Sequence, residues 1–409
     1  MIKEIDFKLS GSIDKRVKIP LNGKNLIITG ANGCGKTRFL RQLNDYLRGI
    51  LEREIQPEDV MLRELEKVQK TFDSIDLSHK HYQYHKDRVD EFSKKYQQSI
   101  NEKIEFEGLM DIFSLLNEKA FVLRFFEANR LANQLASNGQ VENIASIKQH
   151  GMQEGILQDS SDKFERYLVS YYNYGSHVIA RENNPEKAKQ INSWFDKVES
   201  DLRNLFEDNQ LFLKYNPEEQ AFYIHQDGKE PFRFNNLSSG YSSILSVYAD
   251  LLMKVELRDV PSNKMAGFVL IDEIDAHLHV SIQRKIFSFF DKAFPKIQFI
   301  ITTHSPFVIQ SVNDSVIYDL SKMECLEDLS MYSYESILKG LLGVDSTSNL
   351  LNEQLELMAQ LIQQRPVNKD GLQKVVDLIE PHEAQLDSKS KAFLLLGKNA
   401  LLDANDGEE

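Results

Sequence analysis

The sequence predicts an α/β fold: a mixed β-sheet core with flanking helices, interrupted by helical insertions and followed by a helical C-terminal region. Three stretches carry that prediction. Each is an apolar run that reads as a buried strand and ends abruptly in polar residues. They are Leu26-Ile-Ile-Thr29 before a glycine-rich loop, Phe268-Val-Leu-Ile271 before Asp272-Glu273, and Ile297-Gln-Phe-Ile-Ile-Thr302 before Thr303-His304. Such runs suit strands covered on both faces, and the ends of strands in open parallel sheets face ligands.

Composition sets the outer bounds. With 409 residues the chain is long enough for two or three lobes. Apolar and charged fractions of 41% and 27% are those of an ordinary soluble globular protein. No run of about 18 apolar residues occurs, so no membrane span is expected. The opening Met1-Ile-Lys-Glu-Ile-Asp-Phe7 carries acids and lacks the apolar core of a secretion signal. Cys34 and Cys325 make neither a disulfide framework nor a metal-ligand set, which points to a reducing, cytoplasmic compartment. A net charge of −13 disfavours a general nucleic-acid binder, although it is blind to a local basic groove.

In chain order, residues 2–8 and 16–20 alternate loosely across Gly11-Ser12 and read as a hairpin leading to the first buried strand. Lys15 and Arg16 at its turn read as solvated charge rather than as contacts to a base or ribose. Then comes Gly30-Ala31-Asn32-Gly33-Cys34-Gly35-Lys36-Thr37, followed by Arg38 and a helical pattern. This is the strand–loop–helix context of a phosphate-binding loop. Its glycines let successive amides turn inward on an anion, and the helix N-terminus adds positive potential. Backbone from Gly30 to Arg38 is the expected nucleotide cradle, with Lys36 reaching the β- and γ-phosphates. The Thr37 hydroxyl offers a Mg²⁺ ligand. Cys34 contributes backbone here rather than redox chemistry.

Residues 1–45 are thus the first part of a nucleotide-binding head, and 46–120 read as a helical, coiled-coil-like insertion. Leu40, Leu43, Leu47, Ile50 and Leu51 form one apolar face, and Met61, Leu62, Leu65 and Val68 another, with Pro57 as a break between them. The polar continuation predicts a hairpin of about 35 residues per arm, reaching at most about 50 Å. Its His79–Lys86 segment reads as a solvated face rather than a metal or stacking site. Residues 121–130 are a second core strand with a polar end, making Glu127, Asn129 and Arg130 site candidates. A helical lobe over 131–208 places Trp194 in a core stripe with Ile191, Phe195 and Val198. The rest of the head occupies 209–340, with a hairpin across 216–219 and a strand at 315–318. Residues 341–409 are helical, with Leu355, Met358, Ala359 and Ile362 on one face, and end in an acidic, frayed tail from 403.

The remaining chemistry falls within 237–304. Asp272 at the end of its strand is placed to hold Mg²⁺, and Glu273 to polarise a water against the γ-phosphate. Leu237-Ser238-Ser239-Gly240, before an apolar helix, reads as a second anion site of capping hydroxyls and free amides. His304 ends its strand where it can contact the γ-phosphate. His277 and His279, two apart beside the acids, read as packing or interface residues rather than metal ligands.

The order of phosphate loop, Leu237-Ser-Ser-Gly240, Asp272-Glu273 and His304 resembles the heads of ABC-type P-loop ATPases. The long helix-filled gap between the first two pieces resembles the SMC and RecF branch. Asp272-Glu-Ile-Asp-Ala-His-Leu-His279 and Thr302-Thr-His-Ser-Pro306 are similar to OLD-type ATPases and to bacterial anti-phage ATPases such as the PtuA subunit of Septu and retron systems. Tyr334–Asp345 looks most like the PtuA group. The resemblance implies a head-to-head homodimer, or a higher even-numbered oligomer, closing on ATP and Mg²⁺. Ser238, Ser239 and Gly240 would then serve the nucleotide on the opposite protomer, and Asp275 would lie in the segment crossing the interface. It implies Glu273 as base and His304 as switch residue. It also implies a separate effector, a nuclease or toxin, since 305–409 holds no Asp-x-Asp pair of a nuclease domain. Nucleic acid is a further partner, and a DNA-repair ATPase of the SMC or RecF kind is the alternative. The chain departs from the family where Glu127–Arg130 replaces the glutamine of the Q-loop, and where Ser239 and Tyr241 alter the signature.

Overall fold

In the computed structural model, the described residues are 1–9, 15–56, 58–76, 79–130, 135, 142–311, 314–326, 348–364 and 368–406. They divide into two units, Met1–Ile337 and Leu338–Glu409.

The first unit opens with β1 (Ile2–Lys8) and β2 (Arg16–Pro20), an antiparallel pair as predicted. Ile5, Phe7, Val17 and Ile19 point inward, and the charged residues between them lie at the surface, where Arg16 binds Asp6 at 2.5 Å. Gly11 and Ser12 lie outside the described residues. β3 (Asn25–Thr29) carries the phosphate loop into α1 (Lys36–Leu51). A hairpin follows, α2 (Glu58–Asp73) and α3 (Tyr82–Asn101), and Pro57 between the first two helices is not described.

Here the expectation of a wholly helical insertion over 46–120 is corrected. Glu102–Phe106 is a strand, β4, paired antiparallel with β1, and only then does α4 (Leu109–Asn117) form. Ile104 is its buried residue, flanked by Lys103 and Glu105 at the surface. Five residues with so much charge give little strand signal beside a polar helix. The arms are also shorter than expected, at 16 and 20 residues, or about 24 and 30 Å. Leu62, 38% exposed, leaves the face that Met61 and Val68 bury.

β5 (Phe121–Phe126) returns to the core. A lobe of α5 (Ile144–Gln153), α6 (Phe164–His177), a π turn (Val178–Glu182) and α7 (Pro185–Phe206) follows. Trp194 packs within it against Tyr167, Tyr171 and Phe195 at ring distances of 5.4, 5.2 and 5.1 Å. β6 (Phe212–Asn216) and β7 (Ala221–His225) form the predicted hairpin as a two-stranded sheet of their own. The chain continues through α8 (Ser239–Leu257), β8 (Ala266–Ile271), α9 (Val280–Gln283), α10 (Ile286–Ala293), β9 (Ile297–Thr302), α11 (Pro306–Gln310), β10 (Ser315–Asp319) and β11 (Glu324–Leu326).

The central sheet runs β11-β10-β3-β9-β8-β5, parallel except for β11. A second sheet, β2-β1-β4, is antiparallel. One core cluster joins both sheets to α1, with Phe7 against Tyr46 at 5.2 Å and against Phe39 at 6.2 Å. Burial on both faces explains why β8 is apolar along its length and β9 mostly so, with Gln298 and Thr302 as its buried polar residues. Their polar ends line up at one edge of the sheet with the loop after β3.

The second unit is a three-helix cluster of α12 (Asn349–Gln363), α13 (Lys369–Ile379) and α14 (Ser388–Asp406), cored by Met358, Leu361, Leu372, Val376 and Leu394. Leu355 and Ile362 pack on that core as the predicted face requires. Helix persists to Asp406, four residues into what was expected to fray from 403. Residues 334–345 lie outside the described residues.

Candidate nucleotide site

β3 ends at the loop, where Gly30, Gly33 and Gly35 take φ angles of 135°, 76° and 106°. These are left-handed backbone shapes that only glycine adopts without strain. Lys36 is buried, and its Nζ donates to the carbonyls of Gly30 and Ala31 at 2.9 and 3.1 Å. The opening amides of α1 have no partner within the helix, and its dipole favours an anion there. Two amides of the expected Gly30–Arg38 cradle are engaged inside the protein. Ala31 N–H donates to Ser321 Oγ at 2.7 Å, and Cys34 N–H to the Ala31 carbonyl at 3.3 Å. The cradle is therefore narrower than the sequence suggests.

A cavity of about 860 Å³ opens over the loop, with Asn32, Gly33, Gly35, Lys36, Thr37 and Arg38 along it and Glu273 and His304 facing them. Its far end reaches the root of the hairpin. There Gln42 and Gln98 donate to the two oxygens of Glu102 at 2.7 and 2.8 Å.

β8 and β9 supply the acid side. Asp272 is 3% exposed, and its Oδ1 accepts from Thr302 Oγ1 at 2.6 Å. The same hydroxyl accepts from Glu273 N–H at 2.8 Å, so one threonine orients both acids. Glu273 itself has a φ of 46°, a left-handed conformation that costs a non-glycine residue about 1 kcal/mol. Arg130 holds that turn from the other side, its Nη2 donating to the carbonyls of Asp272 and Glu273 at 2.9 and 2.8 Å. Burial lowers its guanidinium to about 10, while the surrounding Asp272, Asp275 and Glu273 act to raise it. Of the other candidates after β5, Glu127 pairs with Arg41 at the surface and Asn129 is exposed.

Asp275 Oδ1 accepts from Thr303 Oγ1 at 2.5 Å, which ties the turn after Glu273 to the end of β9. His304 follows, partly buried. Burial and then the nearby Lys36 charge lower its pKa below 6.5, so the neutral imidazole is favoured. His279 is exposed and accepts from Ser281 N–H at the start of α9, capping that short helix rather than packing in a core. Among the described residues no group of three or more His, Cys, Asp or Glu is arranged to hold a metal.

The Leu237–Gly240 stretch caps α8, but not as expected. Ser238 occupies the N-cap with no side-chain hydrogen bond to the helix, and Ser238 and Ser239 are exposed. The hydroxyls leave the first amides of α8 uncapped by a side chain. Gly240 has a reason of its own: a Cβ there would lie 2.4 Å from the His277 carbonyl. Tyr241 stacks on Phe206 at 4.5 Å with ring planes 2° apart, fastening the start of α8 to the end of α7.

Sequence reading missed one further set. Asp250 on α8 is fully buried, bound by Arg124 of β5 at 2.6 Å and by Ser160 N–H at 2.7 Å. Burial pushes the Asp250 carboxyl up and lowers neighbouring Lys254 to about 8. The Asp250–Arg124 pair links the helix behind Ser238–Gly240 to β5, which ends four residues before Arg130. A charged residue inside an otherwise apolar strand, Arg124 in Phe-Val-Leu-Arg-Phe-Phe, was the available signal.

A family model described as "AAA domain, putative AbiEii toxin, Type IV TA system" matches residues 26–310. The Septu protein PtuA of Bacillus mycoides (strain KBAB4) is 33% identical over 133 residues, covering 32% of this chain and 18% of its own. The retron Ec83 probable ATPase of Escherichia coli is 44% identical over 85 residues, covering 20% of this chain and 16% of its own. The Septu protein PtuA of Bacillus thuringiensis is 31% identical over 133 residues, covering 28% of this chain and 33% of its own. The matches thus span between 16% and 33% of these relatives' lengths. Among solved structures, an SMC head bound to the C-winged helix domain of ScpA overlaps 80% of this chain and 95% of its own, at 15% identity and a TM-score of 0.38.

Proposed function

The chain belongs to this AAA-domain family, and from that premise we propose that it binds ATP with Mg²⁺ and hydrolyses it slowly. Two copies close head to head around the nucleotides and serve as sensor or scaffold for a separate nuclease or toxin in anti-phage defence. The observation that carries the reading is a single cavity bounded by the phosphate loop on one side and by Glu273 and His304 on the other. Its donor set fits a triphosphate: glycine-rich backbone, the Lys36 ammonium and a helix N-terminus. Thr37 and Asp272 would hold Mg²⁺, which supplies neutralising charge for the phosphates. Lys36 exchanges its two loop carbonyls for phosphate oxygens. Glu273 orients a water and takes its proton, with its backbone held by Arg130 and Thr302. His304, neutral, offers one donor and one acceptor across the cavity. Exposed Ser238 and Ser239, with Gly240 at the head of α8, serve the nucleotide of the opposite copy, and Asp275 sits in the crossing segment. The defence role rests on the likeness to the Septu and retron proteins over part of their lengths.

A second reading, a nucleic-acid-dependent ATPase, is favoured by one groove. Between α7 and α10 a recess of about 760 Å³ gathers Lys197, Arg203, Arg284, Lys285 and Lys292 around Phe289. Two of these cations are ion-paired, Lys285 with Glu207 and Arg203 with Glu199, and Asp201 accepts from the Tyr248 hydroxyl. Such a cationic recess stands out in a chain of net charge −13.

Native mass analysis of tagged Glu273→Gln protein, purified from its own host with and without ATP, separates these readings. ATP-dependent even-numbered assemblies with a co-eluting second protein are the expected result. A dimer carrying DNA alone moves the reading to genome maintenance, and a chain that stays monomeric with ATP ends the head-to-head proposal.

A further inference from the structure

We propose that Ser321, in the turn between β10 and β11, is a positioning residue for the phosphate loop and sets its affinity for nucleotide. The inference rests on the nucleotide reading of the site. The Gly30–Ala31 peptide is held at both ends. Its carbonyl accepts from Lys36 Nζ at 2.9 Å, and its N–H donates to Ser321 Oγ at 2.7 Å. A trans peptide is rigid and its two polar groups point in opposite directions. Fixing the N–H therefore fixes where the carbonyl points, even after Lys36 turns from it to a phosphate. Without Ser321 the departure of Lys36 would leave that peptide free to rotate at a glycine of φ 135°.

Ser321 is itself placed by the sheet. Asp319, fully buried, pairs in register with Thr29, and Leu320 N–H donates to the Thr29 carbonyl at 2.9 Å. Asp319 Oδ1 then accepts from the amides of Ser321 and Lys322 at 2.8 and 3.2 Å, an Asx turn that presents the serine. The fit is close on the loop side, where a Cβ on Gly30 would meet Ser321 Oγ at 2.7 Å. Ser321 is exposed, so replacing it leaves the core intact.

The test compares ATP binding by titration calorimetry and steady-state hydrolysis for the full chain, Ser321→Ala and Ser321→Thr. Loss of one hydrogen bond predicts a roughly 3- to 10-fold rise in the Kd and KM for ATP with Ser321→Ala. The kcat at saturating ATP and the melting temperature without nucleotide stay unchanged, and Ser321→Thr, which restores the hydroxyl, returns both constants to near wild type. Unaltered ATP affinity in Ser321→Ala, a fall confined to kcat, or no recovery in Ser321→Thr overturns the proposal. If the unsubstituted chain binds no ATP, the nucleotide reading fails and this inference with it.

Discussion

The central sheet and the α2–α3 hairpin are made from opposite materials. All six residues of β9 are buried, and five of the six in β8. Over the 20 residues of α3 only Ser99 is buried, and the helix carries local pairs such as Lys95 with Glu91 at 2.6 Å and Gln83 with Asp87 at 2.7 Å. Apolar area removed from water stabilises the first at about 25 cal/mol per Å². Exposed pairs of the second contribute at most a few tenths of a kcal/mol each. The contrast separates two jobs. The sheet places Glu273 and His304 across the cavity from the loop. Among the described residues the hairpin lines the cavity at its root, through Gln98, with Glu102 at the start of β4 beside it.

The largest effect should come from opening the sheet. Phe268 is fully buried and lies 5.2 Å from Phe121 and 6.1 Å from Phe106 between ring centres. Phe268→Ala should cost about 3–5 kcal/mol, measured by urea unfolding of the full chain. A loss below 1 kcal/mol would mean that the core between the sheets is loosely packed.

A smaller effect belongs to His304, at the sheet's polar edge. Its folded pKa lies below the usual 6.5 because burial and Lys36 disfavour the cation. The unfolded chain then takes up the proton first as pH falls. Stability therefore declines below about pH 6.5 and stops declining once the folded pKa is passed. His304→Gln should flatten that part of the melting temperature–pH curve, and an unchanged slope would assign the titration elsewhere.

The smallest effect sharpens the contrast from the hairpin side. Tyr84 is 58% exposed, and Tyr84→Ala should shift stability by less than about 0.5 kcal/mol with ATP affinity unaltered. A cost near that of Phe268→Ala would erase the distinction between the two regions.

What could be read from the sequence follows the same division. β3, β8 and β9 are legible because each is mostly apolar and then turns polar, the mark of a covered strand reaching a sheet edge. The phosphate loop is legible because its glycines and Lys36 answer to local geometry. β4 escaped, since its pairing with β1 lies in partners about a hundred residues away and its own residues are mostly charged. Arg130 was placed in the right neighbourhood, but its partners are backbone carbonyls of Asp272 and Glu273, and backbone leaves no trace in side-chain identity. Ser321 was invisible for the same reason. Tyr241 stood out as a departure from a pattern, yet only the stacking on Phe206 gives it a purpose.

The order of the strands also has a consequence in time. β3 stands between β9 and β10, so both neighbours of the strand that carries the phosphate loop come from residues 297–319. One tie of the first strand also comes late: Ile2 N–H donates to Gln298 Oε1 at 2.8 Å, across 296 residues. During synthesis at a few residues per second, the loop that would grasp ATP emerges early and spends tens of seconds without its supports. Products cut short before β10 lack a neighbour of β3 and the serine that steadies the loop. The supports of the loop are thus complete only once residues 297–321 have been made.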